Sequence, residues 1–181
     1  LLYFQYNFYC NMEKYVIYWS SQPYPTYKIY TTNTKWRNSM KISTKGRYGI
    51  RLMLCLALQY EKSGHMPLKM IAQQQEVSEK YLEQIINPLT KAGLVQSFRG
   101  AQGGYALIQN PSEITVGTIL RILEGSLSPV DCLEHSNCKR ADFCASLSLW
   151  QKIKTAIDDI VDNTTLADLV AEYHSKNDNS N

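Results

Sequence analysis

The sequence predicts a mainly α-helical protein with a small β wing: a winged helix-turn-helix head followed by a long C-terminal dimerisation helix. Three observations predict it. Two short helical patterns, one through Ile71 and Ala72 and one through Leu82, Ile85, Ile86 and Leu89, meet at a tight turn at Glu76 and Val77. Directly behind them a glycine-rich turn, Arg99-Gly100-Ala101-Gln102-Gly103-Gly104, joins two short strand patterns. Near the end, Leu147, Trp150, Ile153, Ile157, Ile160 and Val161 recur at helical spacing, an apolar stripe larger than a small head can bury.

The first helix spans Ser43 to about Tyr60, with Tyr48, Ile50, Leu52, Met53, Leu56 and Ala57 mostly at helical spacing and Ser43 or Thr44 able to cap its first amides. Lys62-Ser63-Gly64-His65 breaks that pattern, and Pro67 opens a short second helix to about Gln75. Ser78 is the expected N-cap of the third helix, with Glu79 suited to its positive end, and Pro88 is expected to kink or restart it. Gly93 ends the helix, and strands are expected at Leu94–Phe98 and Tyr105–Ile108. Beyond Asn110-Pro111 the pattern gives a helix from about Thr115 to Leu123, a cysteine-bearing loop over roughly 125–144, the long striped helix, and a last short helix from Thr165 to about Tyr173.

The organisation expected is therefore a head over 40–125, a cysteine loop over 126–144, dimerisation and terminal helices over 145–174, and a disordered polar tail over 175–181. Residues 1–39 read as a non-native or disordered leader. They hold eight of the thirteen tyrosines without a clean period, and Met40 stands where well-patterned helix begins. An apolar fraction of 44% with 19% charged residues is that of a globular chain, and no run approaches the roughly 18 uncharged apolar residues a membrane span needs. With no export signal either, a soluble cytoplasmic protein is expected. Residues 40–99 carry nine basic and four acidic side chains, whereas residues 100–181 carry six and eleven, so the basic half is the one expected to face a polyanion.

In a winged helix-turn-helix the second helix of the pair enters the major groove of double-stranded DNA. Here that helix offers Ser78, Glu79, Lys80, Tyr81, Glu83 and Gln84 in its first turns, groups that can contact phosphates and base edges. Arg99 and Gly100 at the hairpin tip are the expected wing contact, a guanidinium entering a narrow minor groove where glycine lets the backbone approach. Ser43, Thr44, Lys45 and Arg47 at the positive end of the first helix are the expected phosphate site. The alternative use of the same fold is protein contact.

Of the five cysteines, Cys132, Cys138 and Cys144 form a C-x5-C-x5-C cluster; Cys55 lies among apolar helix residues and reads as core, and Cys10 falls in the leader. Three clustered thiols in a chain expected to be cytosolic point to metal rather than disulfides. The spacing is not that of a zinc ribbon, but thiolates suit zinc and iron-sulfur clusters alike, so spacing alone leaves the metal open. No nucleophile-base pair, carboxylate pair or phosphate loop accompanies them, and Gly100–Gly104 leads into a strand rather than a helix, so the chain does not read as an enzyme.

The runs Met40-Lys41-Ile42-Ser43-Thr44-Lys45-Gly46-Arg47-Tyr48, Tyr81-Leu82-Glu83-Gln84, and Gly93-Leu94-Val95 through Arg99-Gly100 to Gly103-Gly104-Tyr105 resemble the Rrf2 family of winged-helix transcriptional regulators, from Met40 to about Tyr173. The resemblance implies a homodimer whose long C-terminal helices cross, acting as a repressor. In the cluster-bearing members, three cysteines so spaced bind an iron-sulfur cluster, which places Cys132, Cys138 and Cys144 as ligands and [2Fe-2S] ahead of [4Fe-4S]. One departure stands out: Leu147 occupies the position where those members carry a histidine, which leaves the fourth ligand unassigned, with His135 the nearest imidazole. Cluster-free members share the head, so the alternative implied is a regulator of cysteine and sulfur metabolism that responds by thiol chemistry or through a metabolic enzyme as partner.

Overall fold

The computed structural model describes residues 42–60, 62, 64–100, 103–134 and 138–178. The leader and Cys10, as well as Ala101, Gln102 and His135, lie outside the described residues. Among the described residues six α-helices and one two-stranded sheet follow one another as α1 (Thr44–Tyr60), α2 (Leu68–Gln75), α3 (Glu79–Lys91), β1 (Val95–Phe98), β2 (Gly104–Leu107), α4 (Val116–Glu124), α5 (Leu147–Asn163) and α6 (Leu166–Asp178).

Each helix end has a local cause. Ser43 caps α1, its Oγ accepting from the amides of Lys45 at 3.0 Å and Gly46 at 3.3 Å. Ser78 caps α3 through the Tyr81 amide at 3.2 Å, and Thr115 caps α4 through that of Thr118 at 3.1 Å. At the far end of α3, Gly93 takes a positive φ of 76°, and the Gly93 and Leu94 amides donate back to the Thr90 and Leu89 carbonyls, a Schellman closure. The turn between α2 and α3 closes in the same way, with Glu76 and Val77 donating to Gln73 and Ala72, yet its left-handed residue is Glu76 at φ 54° rather than a glycine. Pro88 does not restart α3: the helix continues through it to Lys91, its lost amide bond outweighed by the burial of Leu82, Ile85, Ile86 and Leu89 on either side. Each of those fully buried side chains contributes roughly 1.5–3 kcal/mol.

The core sits around α1, whose Leu52, Met53, Leu56 and Ala57 meet Ile71 of α2, the α3 row, and Ile119 and Leu123 of α4. Gly49 of α1 lies under Leu123, where a Cβ would collide with that side chain. The strands pair antiparallel with Val95 opposite Leu107 and Phe98 opposite Gly104. Of β1 only Val95 is buried, because the hairpin leaves the core at its root, so the sequence alternation is not matched by alternating burial. Met66 adds a partial third strand that the sequence does not announce, exchanging two backbone bonds of 2.9 Å with Tyr105.

The terminal helix belongs to this core as well. Val116 donates to Thr164 and Leu166 to Ile114, tying the start of α6 to the start of α4 and placing Leu166 and Val170 in the core cluster. Thr165 and Asp168 cap α6 reciprocally, and the Thr165 hydroxyl and amide hold the Asp168 carboxyl below its usual range. α6 runs to Asp178, five residues past the end read from the sequence, so 175–178 is helix rather than disordered tail. The Lys176–Glu172 ion pair and bonds from Ser175 and Asn177 to the preceding turn accompany that extension.

Candidate nucleic-acid interface and cysteine loop

The row that anchors α3 decides what the helix presents outward. With Leu82, Ile85, Ile86 and Leu89 buried, Ser78, Glu79, Lys80, Glu83 and Gln84 are exposed together along the opposite side. Tyr81 also has partners within the head. It is half-buried, packs on the core and meets the Tyr48 ring edge-on at 5.8 Å, while the Arg51 guanidinium lies over that same Tyr48 ring at 5.4 Å. Tyr81 thus braces α3 against α1 while remaining partly exposed.

At the hairpin tip Arg99 and Gly100 are exposed, Gly100 with a φ of 113° that disfavours any side chain. Gly104 is fixed by crowding, since a Cβ there would lie 2.6 Å from the Met66 carbonyl group. Beside Arg99, Phe98 is 43% exposed and its ring stacks on the His65 imidazole at 4.9 Å with an interplanar angle of 24°. Sequence reading did not find this pair, because its members come from separate segments that only the Met66–Tyr105 pairing brings together.

The start of α1, the expected phosphate site, carries contacts to the end of α4. Ser43 donates its hydroxyl proton to the Glu124 carboxylate at the end of α4, and the Lys45 ammonium donates to the Leu123 carbonyl at 3.1 Å. Gly46 carries no side chain where a Cβ would meet that same Glu124 carboxylate. Ser43 and Lys45 are therefore half-buried with partners within the head, whereas Thr44 and Arg47 are exposed.

The three clustered cysteines sit on an open loop between α4 and α5. Cys132 lies in the 3-10 turn Asp131–Leu133 and is exposed; Cys138 and Cys144 are half-exposed, Cys144 just after the turn Ala141–Phe143. Among the described residues no three His, Cys, Asp or Glu side chains converge to hold a metal ion, so the structure does not gather the expected ligands into one site. The donor chemistry nonetheless fits an iron-sulfur cluster: three soft thiols on one loop, none sealed in the core. The Ser146 hydroxyl, 3.4 Å from the Cys144 sulfur, lowers the Cys144 pKa, whereas burial raises that of Cys55, whose thiol sits between Gln74 and Gln75 as part of the core.

α5 buries none of its residues within the chain. It is held to α4 by Arg121, which pairs with Asp158 at 2.6 Å and with Asp162, while Lys154 pairs with Asp158 from within the helix. Asp162 and Asp158 raise the Arg121 pKa, and Lys154 followed by Arg121 lowers that of Asp158. On α5, Leu149 and Ile160 remain 51% and 68% exposed, and with Ile153 and Ile157 they form a continuous row. Leu149 belongs in the apolar row but was missing from the sequence reading.

Comparison with known proteins converges on one family. The family model described as Rrf2, iron-dependent transcriptional regulator, matches residues 42–172. The chain is 48% identical over 132 residues to the HTH-type transcriptional regulator CymR of Bacillus subtilis, covering 73% of this chain and 91% of that protein. It is 38% identical over 131 residues to the HTH-type transcriptional regulator IscR of Pectobacterium atrosepticum, covering 72% and 79%. Among solved structures it is similar to CymR, the global cysteine regulator of B. subtilis, with a TM-score of 0.63 over 73% of this chain and 97% of that one. It is also similar to T. potens IscR, at 44% identity and a TM-score of 0.61 over 74% and 88%.

Proposed function

The chain belongs to the Rrf2 family of transcriptional regulators, and from that premise we propose that it is a sequence-specific repressor that binds double-stranded DNA as a homodimer in the cytoplasm and is not an enzyme. Its signal is iron-sulfur or redox status, sensed by a cluster on Cys132, Cys138 and Cys144. The observation that carries this reading is the order of parts along the chain: the reading head closes at α4, the three thiols follow at once, and α5 follows them with Leu149 and Ile160 of its apolar row exposed. Among the described residues no helix is long and apolar enough to cross a membrane.

In this reading α3 enters the major groove with Glu79, Lys80, Glu83 and Gln84 toward base edges and Ser78 toward the backbone. Arg99 and Gly100 reach the adjacent minor groove, and Thr44 and Arg47 meet phosphate. The rows of α5 from two subunits cover one another and set the spacing of the two heads. The three thiolates would hold a [2Fe-2S] rather than a [4Fe-4S] cluster, which when bound ties three points of the loop together and responds to oxidants and iron supply.

A second reading is favoured by the open geometry of the thiols and the lowered Cys144 pKa: a cluster-free regulator of cysteine or sulfur metabolism, controlled by thiol chemistry or by a metabolic enzyme. An ultraviolet-visible spectrum with iron and sulfide analysis separates the two, on protein purified without oxygen and on Cys138→Ala. Charge-transfer bands with both elements, lost in the variant, are expected; colourless protein containing neither element refutes the cluster and leaves the thiol reading.

A further inference from the structure

The start of α1 and the end of α4 form a junction that the DNA-reading roles do not account for. The Glu124 carboxylate accepts from the Ser43 hydroxyl, the same oxygen that caps the Lys45 and Gly46 amides. The Leu123 carbonyl, one of those a helix C-terminus leaves without an internal partner, accepts from the Lys45 ammonium. Gly46 gives the carboxylate the space it occupies. Ser43 and Glu124 lie 81 positions apart, so this contact is a product of the tertiary fold.

Glu124 is also the last residue of α4. Gly125 follows with a φ of 85°, its amide returning to the Arg121 carbonyl, and the chain then enters the cysteine loop. One turn earlier Arg121 holds α5 through Asp158 and Asp162. The last turn of α4 therefore touches the start of α1 on one side and the α5 helix on another, and it is the first structure that a rearranged loop would pull on.

We propose that Glu124 is a positioning residue that couples the cysteine loop to the start of α1. While the loop leaves α4 fully wound, Glu124 and Leu123 hold Ser43 and Lys45 inward; when the loop state unwinds the last turn of α4, both are released together, freeing a cation and a capped helix end beside Thr44 and Arg47. The DNA consequence rests on the reading of the loop as the sensor, whereas the mechanical link does not, because it concerns two contacts within one subunit. A carboxylate accepting from a hydroxyl that itself caps amides is a charge-assisted network whose loss reaches each member.

Hydrogen exchange of the α1 amides tests the link without DNA. In full-length protein carrying Cys10→Ser, the segment around Lys45 and Gly46 is followed before and after alkylation of the exposed loop thiols with N-ethylmaleimide, in the otherwise native chain and in Glu124→Ala and Glu124→Gln. Alkylation is expected to speed exchange there about tenfold, the change that losing one hydrogen bond to a charged group produces. Glu124→Ala is expected to exchange fast from the outset with no further response, and Glu124→Gln, which keeps an acceptor, to regain part of the response. Equal exchange before and after alkylation in the Glu124 protein overturns the coupling. Affinity for a duplex selected from a random pool with this protein, measured on the same samples, reads the sensor role separately: an exchange response without an affinity change leaves the junction standing and removes the sensor, and the converse removes the junction alone.

Discussion

Ile160→Ala tests the proposed role of the α5 row in dimer formation. Ile160 is 68% exposed in the single chain, so truncating it removes little that holds the subunit together. Three methylene-sized groups at about 0.8 kcal/mol each come to about 2.4 kcal/mol on full burial, of which the exposed share is about 1.6 kcal/mol per copy. A two-fold interface counts every substitution twice, giving about 3 kcal/mol and a dimer dissociation constant raised on the order of 200-fold. Sedimentation equilibrium over a dilution series measures that constant, with Tyr173→Ala, an exposed side chain on α6 outside the row, as the control. A dimer constant within threefold of the parent protein would refute the assignment of the row to the interface, as would an equal loss in the Tyr173 control.

Other perturbations probe the head and its supports. Arg99→Ala should reduce the salt dependence of DNA affinity, the slope of log K against log salt falling by about 1.8 for two wings if each arginine meets one phosphate; an unchanged slope across a salt titration removes Arg99 from the interface. Gly104→Ala, pressed against the Met66 backbone, should cost about 2 kcal/mol and lower Tm by roughly 4–8 °C, more than Gly93→Ala, where a positive φ is the sole obstacle. Equal melting of the two variants would contradict the crowding at Gly104. Asp158 has a folded pKa below its unfolded one, so its ion pairs add stability above the unfolded value near 3.9 that is lost as pH falls through the depressed one. Because Arg121 and Lys154 are well exposed, Asp158→Asn should cost no more than about 1 kcal/mol in urea melts at pH 6, with the difference vanishing in strong acid and shrinking with salt.

Much of the head was legible because its signals are local. Ser78 as a cap, Gly93 as a stop and the Leu82, Ile85, Ile86 and Leu89 row each depend on neighbours within a turn or two, and the structure places them as read. The restart expected at Pro88 did not occur, because burial on both sides overrides the mid-helix penalty of roughly 3 kcal/mol. The Tyr48 contact of Tyr81 was not legible, because a tyrosine beside polar helix residues carries no mark of the ring that receives it.

The sequence by itself determined the order of helices and wing, the outward face of α3, the three loop thiols and the excess of apolar surface on α5. All of these follow from periodicity, capping and residue chemistry over short spans of chain. Only the tertiary structure decided that α6 returns to the core, that Met66 joins the wing, that Ser43 and Lys45 turn toward Glu124 and Leu123, and that among the described residues the three thiols do not converge on one metal site. The physical reason for the first three is distance along the chain: those contacts join segments dozens of residues apart, and no local pattern encodes which of many compatible partners the packed core will bring within reach.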